Sequence, residues 1–230
     1  ERNAMRTRVV VMSVLVVAVA CVGALLAQGR AAVGPDGEWP MYNRDLAGTR
    51  YSPLRQINTT NVSQLKQAWS YKLGAHPSAG SITGGSEYTP IVVGGRMYVT
   101  TNTSVAALEP ETGRELWRAD LPAGQVSRRG MAFWPGDTNA PPRVFVTAGN
   151  RLVALDAASG RPVAGFGPDE NGQVNMGQTY NGSPTIYKDL VFVGTNSAPG
   201  ALRAFDVRRG IKRWEFTSIP QAGQPGRPGH

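Results

Sequence analysis

Met97-Tyr98-Val99-Thr100, then Ala107-Leu108-Glu109, then Thr112-Gly113 and Trp117: this phrase decides the fold, because the chain repeats it. The second copy is Val144-Phe145-Val146-Thr147, Ala154-Leu155-Asp156 and Ser159-Gly160, with Phe166 near the place of the tryptophan. The third is Val191-Phe192-Val193-Gly194, Ala204-Phe205-Asp206, Arg209-Gly210 and Trp214. The turn glycines stand 47 and then 50 residues apart, and Trp69 precedes Trp117 by 48, as though closing an earlier unit. A period of roughly 40–50 residues with several short strands in each is the signature of a β-propeller, one blade per period.

Each part of the phrase has a mechanical reading. The acid caps a tight turn, the glycine takes the left-handed conformation, and the tryptophan packs flat between neighbouring blades. Ile91–Thr101 reads as two strands around Gly94-Gly95, a turn that needs positive φ. Thr89-Pro90 and Ser183-Pro184 open equivalent strands, where proline is tolerated. Leu65–Leu73 alternates well enough to predict a further strand, and Ala75–Gly85, Gly136–Pro142 and Phe166–Gly177 read as Pro/Gly-rich loops. Helical periodicity is absent after residue 30. Two other propeller types fit worse: a kelch unit wants a glycine pair in every repeat, met only by Gly94-Gly95, and no Trp-Asp dipeptide of a WD repeat occurs.

Residues 1–30 stand apart. Arg6 and Arg8 precede an uncharged apolar run, Val9–Ala27, with small residues around Ala27, Gly29 and Ala31. This predicts a secretory signal peptide, with retention of 9–27 as an N-terminal membrane anchor as the alternative. Cys21 is the one cysteine, so an exported 31–230 domain has no disulfides and relies on its sheet core or a bound ligand. Residues 31–230 carry 20 basic against 15 acidic side chains, spread along the chain without a basic face interleaved with aromatics. That excludes nucleic-acid binding as the main function. About three repeats are present and propellers close with roughly 4 to 8 blades, so the expectation is an N-terminal portion of a larger propeller, all-β throughout.

With these residues in hand, the chain resembles the quinoprotein alcohol and glucose dehydrogenases, which use pyrroloquinoline quinone (PQQ). The repeat resembles that family's tryptophan-docking motif. The leading string is more specific: Trp39-Pro40-Met41-Tyr42-Asn43-Arg44-Asp45, Thr49-Arg50-Tyr51-Ser52-Pro53-Leu54 and Gln56-Ile57-Asn58, similar to the start of the mature dehydrogenases. The resemblance covers about Glu38 to Arg213. It implies an eight-bladed catalytic propeller with PQQ near the axis and a divalent cation, usually calcium, beside it. The implied reaction is oxidation of an alcohol or sugar, with electrons passed to a quinone or cytochrome c. The implied location is the periplasm, either free or anchored to the inner membrane by residues 9–27.

Three segments carry site residues over from the resemblance. Glu87, in Ser86-Glu87-Tyr88, matches the acid beside the bound quinone. Arg129, in Arg128-Arg129-Gly130-Met131, matches an arginine that pairs with a PQQ carboxylate, a role that suits a guanidinium fork. Asn181 and Asn196 match polar contacts to the cofactor. The ordinary readings are a solvated acid before a strand, surface charge, and turn residues. Trp134 reads as blade packing, and His76 and His230 stand alone without partners at metal-ligand spacing.

The sequence also departs from the family. Gln125-Val126-Ser127 stands where some members have adjacent cysteines, and Ala198-Pro199-Gly200 where many alcohol-oxidising members place a calcium-binding Glu. A calcium site would therefore be incomplete, and the specificity is expected to differ from a methanol type. The family's carboxylate base comes from later blades, so residues 1–230 alone are expected not to turn over. The same repeats also build non-catalytic scaffolds that help assemble outer-membrane proteins, which is the alternative function. Those scaffolds lack the leading string.

Overall fold

The computed structural model describes residues 37–73, 88–121, 125–195, 197 and 200–220. The expected signal peptide or anchor, Glu87 and Asn196 lie outside the described residues. Each repeat folds into one four-stranded antiparallel sheet whose strands follow one another in space as in sequence. Blade 1 comprises β1 (Ile91–Val93), β2 (Arg96–Thr100), β3 (Ser104–Leu108) and β4 (Glu115–Asp120). Blade 2 comprises β5 (Ala132–Trp134), β6 (Arg143–Ala148), β7 (Arg151–Asp156) and β8 (Gln173–Asn175). Blade 3 comprises β9 (Thr185–Tyr187), β10 (Leu190–Gly194), β11 (Ala201–Asp206) and β12 (Lys212–Thr217). This is the β-propeller architecture, with three blades among the described residues. Among the described residues there is no α-helix, and hence none long and apolar enough to cross a membrane.

The strands of the repeated phrase, β2, β6 and β10, form where the pattern placed them. Gly94 and Gly95 turn β1 into β2 with φ of +57° and +70°, a conformation open to glycine and expensive for other residues. The middle strands β3 and β6 are buried along their whole length, β6 between blades 1 and 3 and β3 between blade 2 and the side chains of Trp69, Tyr71 and Leu73. One core, with Tyr98, Val144 and Leu155, fills the space between blades 1 and 2. A second, with Phe145, Phe166, Val191 and Phe205, fills that between blades 2 and 3.

Two sequence expectations are corrected. Leu65–Leu73 is not a hydrogen-bonded strand. The alternation is real, since Trp69, Tyr71 and Leu73 pack on Val99, Ala106 and Leu108, but the segment meets the blade through side chains and joins no ladder. The stretch Phe166–Gly177 is not wholly loop, because β8 lies within it and pairs Val174 with Leu152. Its turn-rich first half, 165–172, hid a strand of only three residues.

The acids cap the turns as expected. Asp156 Oδ1 accepts from the amides of Ser159 (2.8 Å) and Ala158 (3.2 Å), and Asp206 Oδ1 from those of Arg209 (2.8 Å) and Arg208 (2.9 Å). Glu109, one methylene longer, accepts from the Thr112 hydroxyl instead, at 2.6 Å. The aromatics dock on the next blade's glycine. Trp69 lies on Gly113, Trp117 on Gly160 and Phe166 on Gly210. A Cβ at Gly160 would sit 2.3 Å from Trp117 Cε3, so the close approach itself demands glycine.

Each docked indole also reaches the carbonyl just after the capping acid. Trp69 Nε1 donates to Pro110 O (2.9 Å), and Trp117 Nε1 to Ala157 O (3.2 Å), which also accepts from the Tyr98 hydroxyl (3.2 Å). At the third interface the ring is Phe166 and the counterpart of Tyr98 is Phe145, so both polar donors are gone. The equivalent carbonyl, Val207 O, accepts instead from Arg143 Nη1 at 2.8 Å, and the same nitrogen reaches Arg208 O at 2.6 Å. Arg143 is buried, and its guanidinium lies 5.7 Å from the centre of the buried Trp134 ring. A buried carbonyl left without a donor costs free energy, and here a charged donor from β6 replaces the missing indole and phenol.

Candidate functional site

The inner strands β1, β5 and β9 are three residues each, and the chain approaching them builds the site. Trp39 pairs with Val92 of β1 through two backbone hydrogen bonds of 2.7 and 3.0 Å. The Phe133 amide of β5 donates to Pro40 O at 3.1 Å, and the Gly94 amide to Glu38 Oε1 at 3.1 Å. The leading segment is thereby laid across the first strands of blades 1 and 2. Beyond Pro40 it folds into a tight loop. Asp45 accepts from the Thr49 amide (3.1 Å) and hydroxyl, which holds its carboxyl below the usual range. Asn43 Oδ1 accepts from Arg50 Nε at 2.8 Å.

A second segment, 180–184, precedes β9 and is pinned to blade 2. The Tyr180 amide donates to Gly149 O (3.0 Å), Ser127 Oγ to Asn181 O (3.0 Å), and Thr147 Oγ1 to Gly182 O (3.1 Å). Tyr180 is buried, and its hydroxyl accepts from Arg203 Nη1. Arg203 also forks the carboxylate of Glu215 across β11 and β12, at 3.0 and 3.3 Å. The Arg203 and Lys212 cations draw Glu215 down to about 2, whereas burial pushes the Tyr180 phenol up.

Arg129 lies three residues before β5, with its amide on Ser127 Oγ at 3.2 Å and its side chain exposed. It faces an open cavity of about 400 Å³. One wall is the leading loop, with Met41, Tyr42 and Asn43; the other is the start of β9, with Ser183 and Thr185. The structure therefore brings Arg129 beside the segment that carries Asn181, which is half-buried one residue ahead of the cavity wall. Sequence reasoning missed the leading loop as a wall. Its string was distinctive, but nothing in it says that it crosses the inner strands to reach Arg129. Trp134 is buried beneath Arg143 and Arg208, in keeping with a packing role. Among the described residues, no group of three or more His, Cys, Asp or Glu side chains is placed to hold a metal ion.

Residues 39–229 match the profile of the PQQ glucose/ethanol/alcohol dehydrogenase β-propeller domain. The chain is 36% identical over 216 residues to the quinohemoprotein alcohol dehydrogenase of Comamonas testosteroni, covering 87% of this chain and 28% of that one. It is 35% identical over 193 residues to methanol dehydrogenase (cytochrome c) subunit 1 of Paracoccus denitrificans, covering 76% and 29%. The crystal structure of the Comamonas testosteroni protein aligns with a TM-score of 0.66 at 34% identity, covering 87% of this chain and 29% of that one. The chain thus spans less than a third of the length of these relatives.

Proposed function

The chain belongs to the PQQ glucose/ethanol/alcohol dehydrogenase β-propeller family, and from that premise we propose that it is part of an enzyme oxidising an alcohol or sugar with PQQ. The observation that carries the proposal is Arg129 at a cavity of about 400 Å³ between the leading loop and β9. That volume falls in the range of roughly 300–1,000 Å³ usual for cofactor pockets. For a planar tricarboxylate the lining offers the Arg129 guanidinium, the Thr185 hydroxyl and apolar surface from Met41 and Tyr42. Asp45 is its one acid, and the Ser183 hydroxyl already donates to Met131 O and Pro184 O. Arg129 would hold a carboxylate, Asn181 and Asn196 would add polar contacts, and Glu87 would stand beside the quinone. Bound PQQ would supply the electron acceptor for the substrate carbon.

Electrons would pass on to a quinone or a cytochrome c. Residues 1–30 would direct the protein to the periplasm, with 9–27 as the anchor if they are retained. The proton-accepting carboxylate would come from outside residues 31–230, which alone would then not turn over. A divalent cation beside the quinone, calcium by the family resemblance, would take carboxylate ligands from outside the described residues, where no three His, Cys, Asp or Glu side chains gather.

The test is titration of the full-length apo-protein with PQQ, following tryptophan fluorescence. Arg129→Ala is expected to weaken binding by roughly 2–4 kcal/mol, the cost of leaving a carboxylate without its charged partner. Unchanged affinity would overturn the assignment.

A further inference from the structure

We propose that the leading loop is itself part of the cofactor site, with Asn43 donating to a PQQ carboxylate alongside Arg129; this rests on the PQQ reading above. Arg129 and Asn43 are 86 positions apart in the chain. They meet at one cavity because Trp39 and Pro40 are hydrogen-bonded to β1 and β5, which fixes where the loop emerges. An ordinary surface turn would satisfy its polar groups in the same internal way. This one also presents Met41, Tyr42, Asn43, Asp45 and Leu46 to the cavity that Arg129 faces.

The loop's internal bonds decide which group is left to act. Arg50 occupies Asn43 Oδ1 at 2.8 Å, so the amide nitrogen of Asn43 is the end turned out as a donor. Asp45 turns both carboxylate oxygens to Thr49 and stays ionised, so the loop's group for an anion is the Asn43 amide and not this acid. Tyr42 and Met41 add apolar surface, and Arg50 lies over the Tyr42 ring at 5.5 Å, stiffening it. An anion held by Arg129 thus meets a neutral donor from the opposite wall.

The test uses PQQ itself as the probe on full-length apo-protein, with two readouts besides activity. The first is trypsin cleavage after Arg44 and Arg50, followed with and without PQQ. The second is PQQ affinity of Asn43→Asp, Asn43→Ala and Arg129→Ala, each checked for an unchanged melting midpoint of the apo-protein. PQQ is expected to slow both cleavages, and Asn43→Asp to weaken binding by roughly tenfold or more, as befits a lost donor to a charged group plus like-charge repulsion. Asn43→Ala is expected to lose less, about three- to tenfold. Wild-type affinity in Asn43→Asp with cleavage indifferent to PQQ, while Arg129→Ala loses binding, would overturn the loop's role and leave the PQQ reading standing. Full affinity in Arg129→Ala would bring down both. Should Asn43→Asp fail to fold, the protection of the unaltered loop decides.

Discussion

Arg143 stands in for two missing donors at the interface of blades 2 and 3, and this substitution can be tested as a thermodynamic cycle. Arg143→Leu removes bonds of 2.8 and 2.6 Å to Val207 O and Arg208 O, leaving both carbonyls without that donor. A hydrogen bond from a charged donor contributes about 1.5–3 kcal/mol. Against this, burial holds the Arg143 guanidinium below its ordinary pKa, so the variant recovers part of a desolvation penalty. The net expectation is a loss of about 2–4 kcal/mol, or roughly 4–12 °C in melting midpoint for a domain of this size. Phe166→Trp alone is expected to cost about 1–3 kcal/mol, because the larger ring meets a filled site with Arg143 already on the carbonyl. In the double variant the indole N–H can take Val207 O, as Trp117 takes Ala157 O at 3.2 Å. The pair should then be more stable than the sum of the two singles predicts, by about 1–3 kcal/mol. Urea midpoints of the four proteins measure the cycle. Hydrogen exchange at the Gly167 amide, which donates to Arg209 O across the same interface at 2.8 Å, reports it locally. Additivity within about 0.5 kcal/mol would refute the claim that arginine and indole serve the same carbonyl.

Two further outcomes are expected. Gly160→Ala should cost roughly 2–4 kcal/mol, because φ is +72° and the new Cβ would fall inside the Trp117 ring's contact distance; a midpoint within 2 °C of wild type would contradict the docking geometry. Glu215 is held at about 2 by Arg203 and Lys212, below its ordinary 4.5. A depressed folded-state pKa gives stability that is present above the unfolded value and lost as pH falls through the folded one. Wild type should therefore lose stability relative to Glu215→Gln between pH 4.5 and about 2, and parallel acid-unfolding curves would rule out that linkage.

Much of the fold and part of the site were legible in the residues. Periodicity, capping acids and turn glycines are local signals, and they located the blades because each blade is a local antiparallel sheet. Arg129 was nominated by its segment's resemblance to the family, and the structure places it at a cavity. The wall opposite it was not legible, since Met41 and Asn43 reach Arg129 only through backbone bonds from Trp39 and Pro40 to strands more than 50 and 90 residues away. The strand expected at Leu65–Leu73 failed for a related reason: alternation records which side chains face a sheet, not whether the backbone joins it.

Local residue patterns alone set the repeat unit, the propeller class and the capped glycine turns, because these follow from short-range spacing and steric limits on φ. The tertiary structure alone decided which donor serves each docked carbonyl. Phe166 announces that an indole is missing, but only the stacking of blade 2 on blade 3 brings Arg143 within 2.8 Å of Val207 O. It also decided that the leading loop and β9 enclose one cavity with Arg129. Contacts between distant segments depend on how blades stack, and no local pattern of residues encodes that.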